Sequence, residues 1–346
     1  MKPEDKHKPT LLSVGELRAM PVIPSEWIVE DLIRIGRRRP SLLAGKPEAG
    51  KSTLARQLCV AVAKGVPIFG RRTMRSPVIY WQSEDEPTDV LDSWDRLGYD
   101  ETKDEKLWTY TGDTKDNHVL TLNKALHDHP DVRLVVVETL DSLLKMDDIK
   151  GNTPARIAFD KLDAEVMAHY AHRTSFLCLT HLKKKDCDEA GDMILGATEI
   201  RGRTDAKLYM RQVSDEDERR IFHATIRKGR PIPKTFLEFN RQSETYTLGP
   251  TVAEERKLVA GQTQERILEK VLTFFENNPD KTFEKDCLPV VSGNTPEKWS
   301  VFKKAVADGL IVRSSGTGRK GNPFVYRLAD KGIPVEQAAE AERRAA

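Results

Sequence analysis

Four short apolar runs, at residues 41–44, 78–81, 134–137 and 175–180, punctuate the chain up to residue 180. The last three are rich in β-branched or aromatic side chains, as strands buried on both faces are. Between and after them, residues 52–64, 88–97, 120–128 and 154–171 repeat apolar positions at helical spacing. Alternating strands and helices predict an α/β domain with a mainly parallel sheet over residues 25–250. The pattern changes after Thr204, where 206–213, 221–227, 236–239 and 245–248 read as consecutive strands. We expect these to run antiparallel and to extend one edge of the sheet.

Before this domain, residues 1–24 are polar and contain Pro3, Pro9, Pro21 and Pro24, which reads as an arm or linker with a short helix at 14–20. After it, residues 251–262 are polar and charged, which reads as a linker. Residues 263–330 then show helices at 264–276, about 284–290 and 295–308, and two short strands at 311–313 and 324–328. The segment joining the strands is SSGTGRKGNP, so this order predicts a small winged helix-turn-helix domain. The Ala/Glu/Arg-rich end, 331–346, reads as a frayed tail.

A length of 346 residues suits one large and one smaller domain. No apolar run approaches the ~18 residues that span a bilayer. The first ten residues, MKPEDKHKPT, lack the apolar core of a signal peptide, so a cytoplasmic location and no membrane partner are expected. The four cysteines are scattered, which disfavours a zinc module or a disulfide framework, and Cys59 and Cys178 sit in apolar runs as buried hydrophobes would. A net charge of +2 supplies no global basic field, so any nucleic-acid contact must use local patches.

The chemistry is concentrated after the first apolar run. Gly45, Lys46, Pro47, Glu48, Ala49, Gly50, Lys51 and Ser52, followed by Thr53, spell a complete G-x-x-x-x-G-K-[ST] loop between a strand and a helix. Glycines let backbone N–H groups converge on phosphates, and the helix start directs its positive end at them. Lys51 reaches the β- and γ-phosphates, and the Ser52 hydroxyl ligates Mg²⁺. ATP with Mg²⁺ is therefore the expected cofactor pair. A metal-associated acid is expected at the end of a neighbouring strand, where the run LVVVE places Glu138, with Asp141 as the alternative. A general base is also needed, and the turn Ser83-Glu84-Asp85-Glu86 follows a strand taken to adjoin the loop strand. Glu84 is the candidate base; the same acids would also suit a helix N-terminus.

This order of motifs resembles RecA-like ATPases over residues 25–248, and is similar to the plasmid RepA-type hexameric replicative helicases, relatives of DnaB. The resemblance implies a RecA-like P-loop core and roles for four features. Glu84 matches the family's catalytic glutamate. Glu138 stands where the family has Asp. His181, in LTHLKK, matches the residue that senses the γ-phosphate. Lys228-x-Arg230, in RKGRP, is similar to the basic pair that reaches a neighbouring subunit's nucleotide, although basic residues are also common at solvated hairpin tips. Arg201 and Arg203, in the segment after the sensor, would face either the subunit interface or DNA.

The implied partner is single-stranded DNA in a ring, with loops after Leu144 and after His181 facing the channel. Lys183, Lys184 and Lys185 on the second loop suit sequence-independent phosphate contact. Arg313, Arg319, Lys320 and Arg327 on the expected wing could hold a duplex backbone, but winged helices also dock proteins, and both readings stand. The whole then reads as a homo-hexameric, or otherwise ring-forming, DNA helicase of a plasmid, phage or mobile element, served by a separate primase or initiator. The alternative is a DNA-binding ATPase without unwinding activity: a loader, a recombination or repair accessory, or an ATP-switched regulator. A small-molecule kinase leaves the Lys-x-Arg pair and the C-terminal domain unexplained.

Overall fold

Alternation along the central strands sorts their side chains onto two faces, and each face recruits its own helices. In the computed structural model these strands are β3 (Ser41–Gly45), β4 (Val78–Gln82), β6 (Leu134–Glu138) and β7 (Ser175–His181), and all but His181 of their residues are buried. Leu43, Tyr80, Val136 and Leu177 point to one face, where they pack on Leu54, Leu58 and Val62 of helix α2 (Lys51–Lys64). Leu42, Trp81, Val137 and Cys178 point to the other. There they meet helix α4 (His118–Asp128), helix α5 (Leu140–Leu144) and a segment α6, π-helical over Asp163–Met167 and α-helical over Ala168–Tyr170. Each side chain of this size contributes about 1.5–3 kcal/mol by leaving water.

The structure describes residues 11–19, 26–35, 38–83, 85–112, 117–144, 160–181, 203–214 and 216–329. These form two units, Met1–Thr251 and Val252–Ala346. The first also holds α1 (Val14–Ala19), a small antiparallel pair β1 (Trp27–Val29) and β2 (Ile33–Arg34), α3 (Pro87–Arg96), β5 (Leu107–Tyr110), and four further strands. The four are β8 (Ala206–Gln212), β9 (Arg220–Ile226), β10 (Ile232–Asn240) and β11 (Thr245–Thr251). The nine-stranded sheet has the order β11-β10-β9-β8-β3-β7-β6-β4-β5. From β8 to β5 every pair is parallel; β8–β9, β9–β10 and β10–β11 are antiparallel. This mixed α/β architecture fits a RecA-like P-loop core.

Several sequence expectations change here. β8 is not the first strand of an antiparallel extension: it runs parallel to β3, with Gly45 beside Met210, and only its other edge is antiparallel. β4 does not adjoin the P-loop strand, since β7 and β6 lie between them. Nor does β6, because β7 intervenes. The order of strands in space follows crossover geometry, which local pattern does not encode. β5 went unread because all four of its residues are only half-buried at the sheet edge. The part of the expected helix 154–171 that precedes Asp160 lies outside the described residues.

In the second unit, α7 (Val252–Asn277) begins at the junction and runs through residues 252–262, where a linker over 251–262 was expected. That stretch has no apolar stripe, yet it is rich in Ala, Glu, Lys, Leu and Gln, residues with high helix propensity. Its buried positions, Ile267, Val271 and Phe275, come later and follow the four-residue step of a core-facing stripe. They pack on a π-helical turn, Phe283–Cys287, and on α8 (Thr295–Ala307). Phe283 and Phe302 stack with ring centroids 3.9 Å apart. Asn294 caps α8 by accepting from the Glu297 amide at 2.9 Å. Strands β12 (Ile311–Ser315) and β13 (Val325–Leu328) close the unit as an antiparallel hairpin. Among the described residues no helix is long and apolar enough to cross a membrane.

Leu58 is fully buried between α2 and the sheet. Leu58→Ala is expected to lower unfolding free energy by about 2–5 kcal/mol, read as a shifted urea midpoint at unchanged slope.

Candidate nucleotide site

The phosphate-binding loop is shaped by what its backbone must pass. β3 ends at Gly45, and a Cβ there would stand 2.6 Å from the Met210 carbonyl oxygen of β8. Any side chain would force the two strands apart. Gly50 takes φ +89°, a left-handed conformation, and a Cβ on it would collide with the Tyr246 hydroxyl. The loop therefore fits its neighbours only as glycine at both ends. α2 starts at Lys51 with no side-chain cap and no acid in its first turn. Neither a cap nor an acid of its own occupies the helix start, which suits an anion site. Lys51 is buried and its Nζ donates to the Lys46 carbonyl at 2.9 Å, which holds the ammonium across the loop.

Glu138 closes β6, and its parity decides what it meets. It shares a face with Leu134 and Val136, the face covered by α2, so it lies beneath the helix that carries Ser52. Ser52 Oγ donates to Glu138 Oε1, and Tyr80 Oη donates to Oε2. Burial raises the Glu138 pKa above the ordinary glutamate value, against the opposing pull of these two hydrogen bonds. Burial also pushes the Tyr80 phenol well up, which keeps it a donor. A hydroxyl and a carboxylate in contact are a hard-oxygen pair of the kind Mg²⁺ takes together with substrate phosphates. The residues fit that ion, which would supply charge neutralisation at the phosphates. Asp141 lies in α5, and its side chain is outside the described ones.

His181 ends β7, the strand next to the loop strand, directly in register with Gly45. The loop glycine and the half-buried histidine thus sit side by side at the carboxyl edge of the sheet. Gln82 ends β4 in register with Glu138. It is 1% exposed, and it accepts from the Asp85 amide at 2.8 Å and donates to the Asp85 carbonyl at 3.1 Å. Glu84 itself lies outside the described residues. The acidic turn follows β4 as expected, but β4 lies three places from β3, so adjacency does not bring it to the loop.

The remaining candidates fall elsewhere. Lys228 and Arg230 are exposed on the β9–β10 turn. That turn adjoins Asp205 at the start of β8, since the Arg227 amide donates to the Asp205 carbonyl at 2.9 Å. It lies at the sheet edge opposite its own P-loop. Arg230 Nε donates to Asp31 at 2.7 Å. Arg203 pairs with Asp160. Arg201, Lys183, Lys184 and Lys185 lie outside the described residues. In the second unit Arg313, Arg319, Lys320 and Arg327 are all exposed on or beside the hairpin, with Arg313 over the Phe324 ring at 4.5 Å.

Sequence reading passed over Tyr80, Gln82, Asp85 and Arg56. Arg56 carried a signal: it stands four residues after Ser52, a cation among the apolar Leu54, Ala55, Leu58 and Cys59.

The fold and the loop define a P-loop ATPase domain. The family model described as AAA domain, AAA_25, matches residues 3–186, more than half of the chain, and the chain belongs to that family. The match ends before β8, so Lys228, Arg230 and the second unit lie beyond it. No curated protein matches the chain.

As the expected metal-side acid, Glu138 would hold Mg²⁺ as the carboxylate, and burial raises its pKa, so protonation would compete at a higher pH than for an exposed glutamate. Apparent Mg²⁺ affinity for the nucleotide-bound protein is expected to fall as pH drops toward the range in which Glu138 protonates. Glu138→Gln should remove the pH dependence along with most of the affinity; titration of Mg²⁺ against hydrolysis or nucleotide fluorescence measures both.

Proposed function

We propose that the chain is a ring-forming, RecA-like DNA helicase or translocase of the RepA type, driven by ATP and Mg²⁺ and acting on single-stranded DNA. It would serve replication of a plasmid, phage or other mobile element, alongside a separate primase or initiator. Gly45–Ser52 bind the phosphates and Lys51 neutralises their charge. Ser52 and Glu138 hold Mg²⁺, Glu84 orients the attacking water, and His181 reports the γ-phosphate to β7. Lys228 and Arg230 act on the neighbouring subunit, and Lys183, Lys184 and Lys185 contact the DNA backbone. The second unit, three helical segments followed by a basic hairpin, serves as a winged helix, with Arg319 and Lys320 at its tip.

One observation carries this reading. The Lys228–Arg230 turn and the P-loop occupy opposite edges of one sheet. Cations there are out of reach of their own nucleotide and would be free to serve another subunit's in a closed ring, which favours this reading. A different observation favours the alternative, a DNA-binding ATPase without unwinding activity. Arg230 is paired with Asp31 of its own chain, which competes with a role in trans.

Strand separation on a forked DNA duplex distinguishes the two. We expect ATP-dependent unwinding that vanishes in Lys51→Ala. Hydrolysis stimulated by single-stranded DNA without unwinding would select the accessory ATPase.

Arg230→Ala is expected to reduce hydrolysis by about 10³-fold or more, as loss of a trans arginine does. Mixing it with Lys51→Ala should restore part of the activity, because each subunit supplies what the other lacks. No recovery from mixed oligomers would exclude the trans role.

A further inference from the structure

We propose that Arg56 is a positioning residue of this site, tying the metal-side acid Glu138 to the acidic turn after β4 so that both keep one arrangement. This rests on the ATPase reading above.

Arg56 lies within the core face of α2 and is 8% exposed. Its neighbours on the helix, Ala55, Leu58 and Cys59, are fully buried. A cation in such a place is expensive unless its donors are all used, and an apolar residue would pack there at lower cost. The donors lead to three different elements. Nε donates to Tyr80 Oη on β4 at 3.3 Å, Nη1 donates to Ser93 Oγ on α3 at 3.0 Å, and Nη2 pairs with Asp85. The planar fork of arginine suits this divergence, whereas a lysine ammonium is a single point of charge.

From Tyr80 the chain of contacts continues to the site. The Tyr80 hydroxyl accepts from Arg56 and donates to Glu138, whose other oxygen accepts from Ser52. Polarised in this way, successive hydrogen bonds reinforce one another. On the other arm, Asp85 is held three times: its side chain by Arg56, and its amide and carbonyl by Gln82. Asp85 directly follows Glu84 in the chain. Ser93 passes the third contact to Glu244 at 2.9 Å, which fixes α3 to the β10–β11 turn. One buried cation therefore joins the P-loop helix, two strands, a helix and the turn bearing the candidate base. Arg56 touches neither phosphate nor metal in this scheme; it acts through Tyr80 and Asp85.

The test compares wild type, Arg56→Gln, Arg56→Lys, Asp85→Asn and the Arg56→Gln/Asp85→Asn double variant in the full chain. Three readouts are taken: kcat and KM for ATP, nucleotide affinity, and amide hydrogen exchange over residues 83–86 without nucleotide. Removing such a supporting contact should lower kcat by about 10–100-fold with KM and nucleotide affinity little changed. Exchange over 83–86 should quicken while the core amides of α2 stay protected. The double variant should be no slower than Arg56→Gln, since Asp85→Asn weakens a contact that Arg56→Gln has already removed. Arg56→Lys should recover part of the loss.

Asp85 has a side chain 41% exposed, so Asp85→Asn reads the same contact if Arg56→Gln does not fold. Full kcat in folded variants, additive losses, or unchanged exchange in the turn would overturn the positioning role alone. Absence of hydrolysis by the wild type would overturn the ATPase reading and this proposal with it.

Discussion

A carboxylate taken out of water needs partners for both oxygens, and Glu138 has them in Ser52 and Tyr80. Much of the site's arrangement follows from that requirement. Ser52 belongs to the first turn of α2, so satisfying one oxygen fixes the helix start over the end of β6. Tyr80 belongs to β4, so satisfying the other fixes the register of two strands relative to the helix. The loop between β3 and α2 must then close the remaining gap, and the crowding around Gly45 and Gly50 shows how little room it has. The site is assembled from distant segments because the sheet holds their ends at one edge.

The rest of the sheet supports this edge rather than competing with it. Parity places Glu138 and Gln82 on the same face as the apolar residues beneath α2, so the polar groups begin where the core stops. β7, between β3 and β6, sets His181 beside the loop. The antiparallel strands beyond β8 close the sheet on the other flank and supply Tyr246, whose hydroxyl lies against Gly50.

Much of this was legible in the chain. The P-loop, the strand that ends in Glu138 and the strand that ends in His181 are local patterns, and local patterns survive folding. The helix over 252–262 was hidden because its residues encode propensity without an apolar stripe. The order of strands was hidden for a different reason. Nothing in VIYWQ or LVVVE tells how many strands separate either from β3, and two expectations of adjacency failed on that point. Tyr80 reads as one more core aromatic until Glu138 is seen beneath its hydroxyl. Arg56 was visible as a cation among apolar neighbours on the helix, but its three partners come from segments 24 to 37 residues away. The parts of the site that depend on residues 84, 183–185 and 201 rest on the sequence.

β8 has a mechanical consequence. It is bonded along one edge to the strand that delivers the phosphate loop and along the other to the strand that leads into the Lys228–Arg230 turn. At about 3.3 Å per residue, seven residues set those two ends roughly 20 Å apart. Interiors packed at crystal density have little slack in which strain can be absorbed. The strand is thus a spacer of nearly fixed length: where the phosphate loop stands decides where the turn on the opposite edge stands.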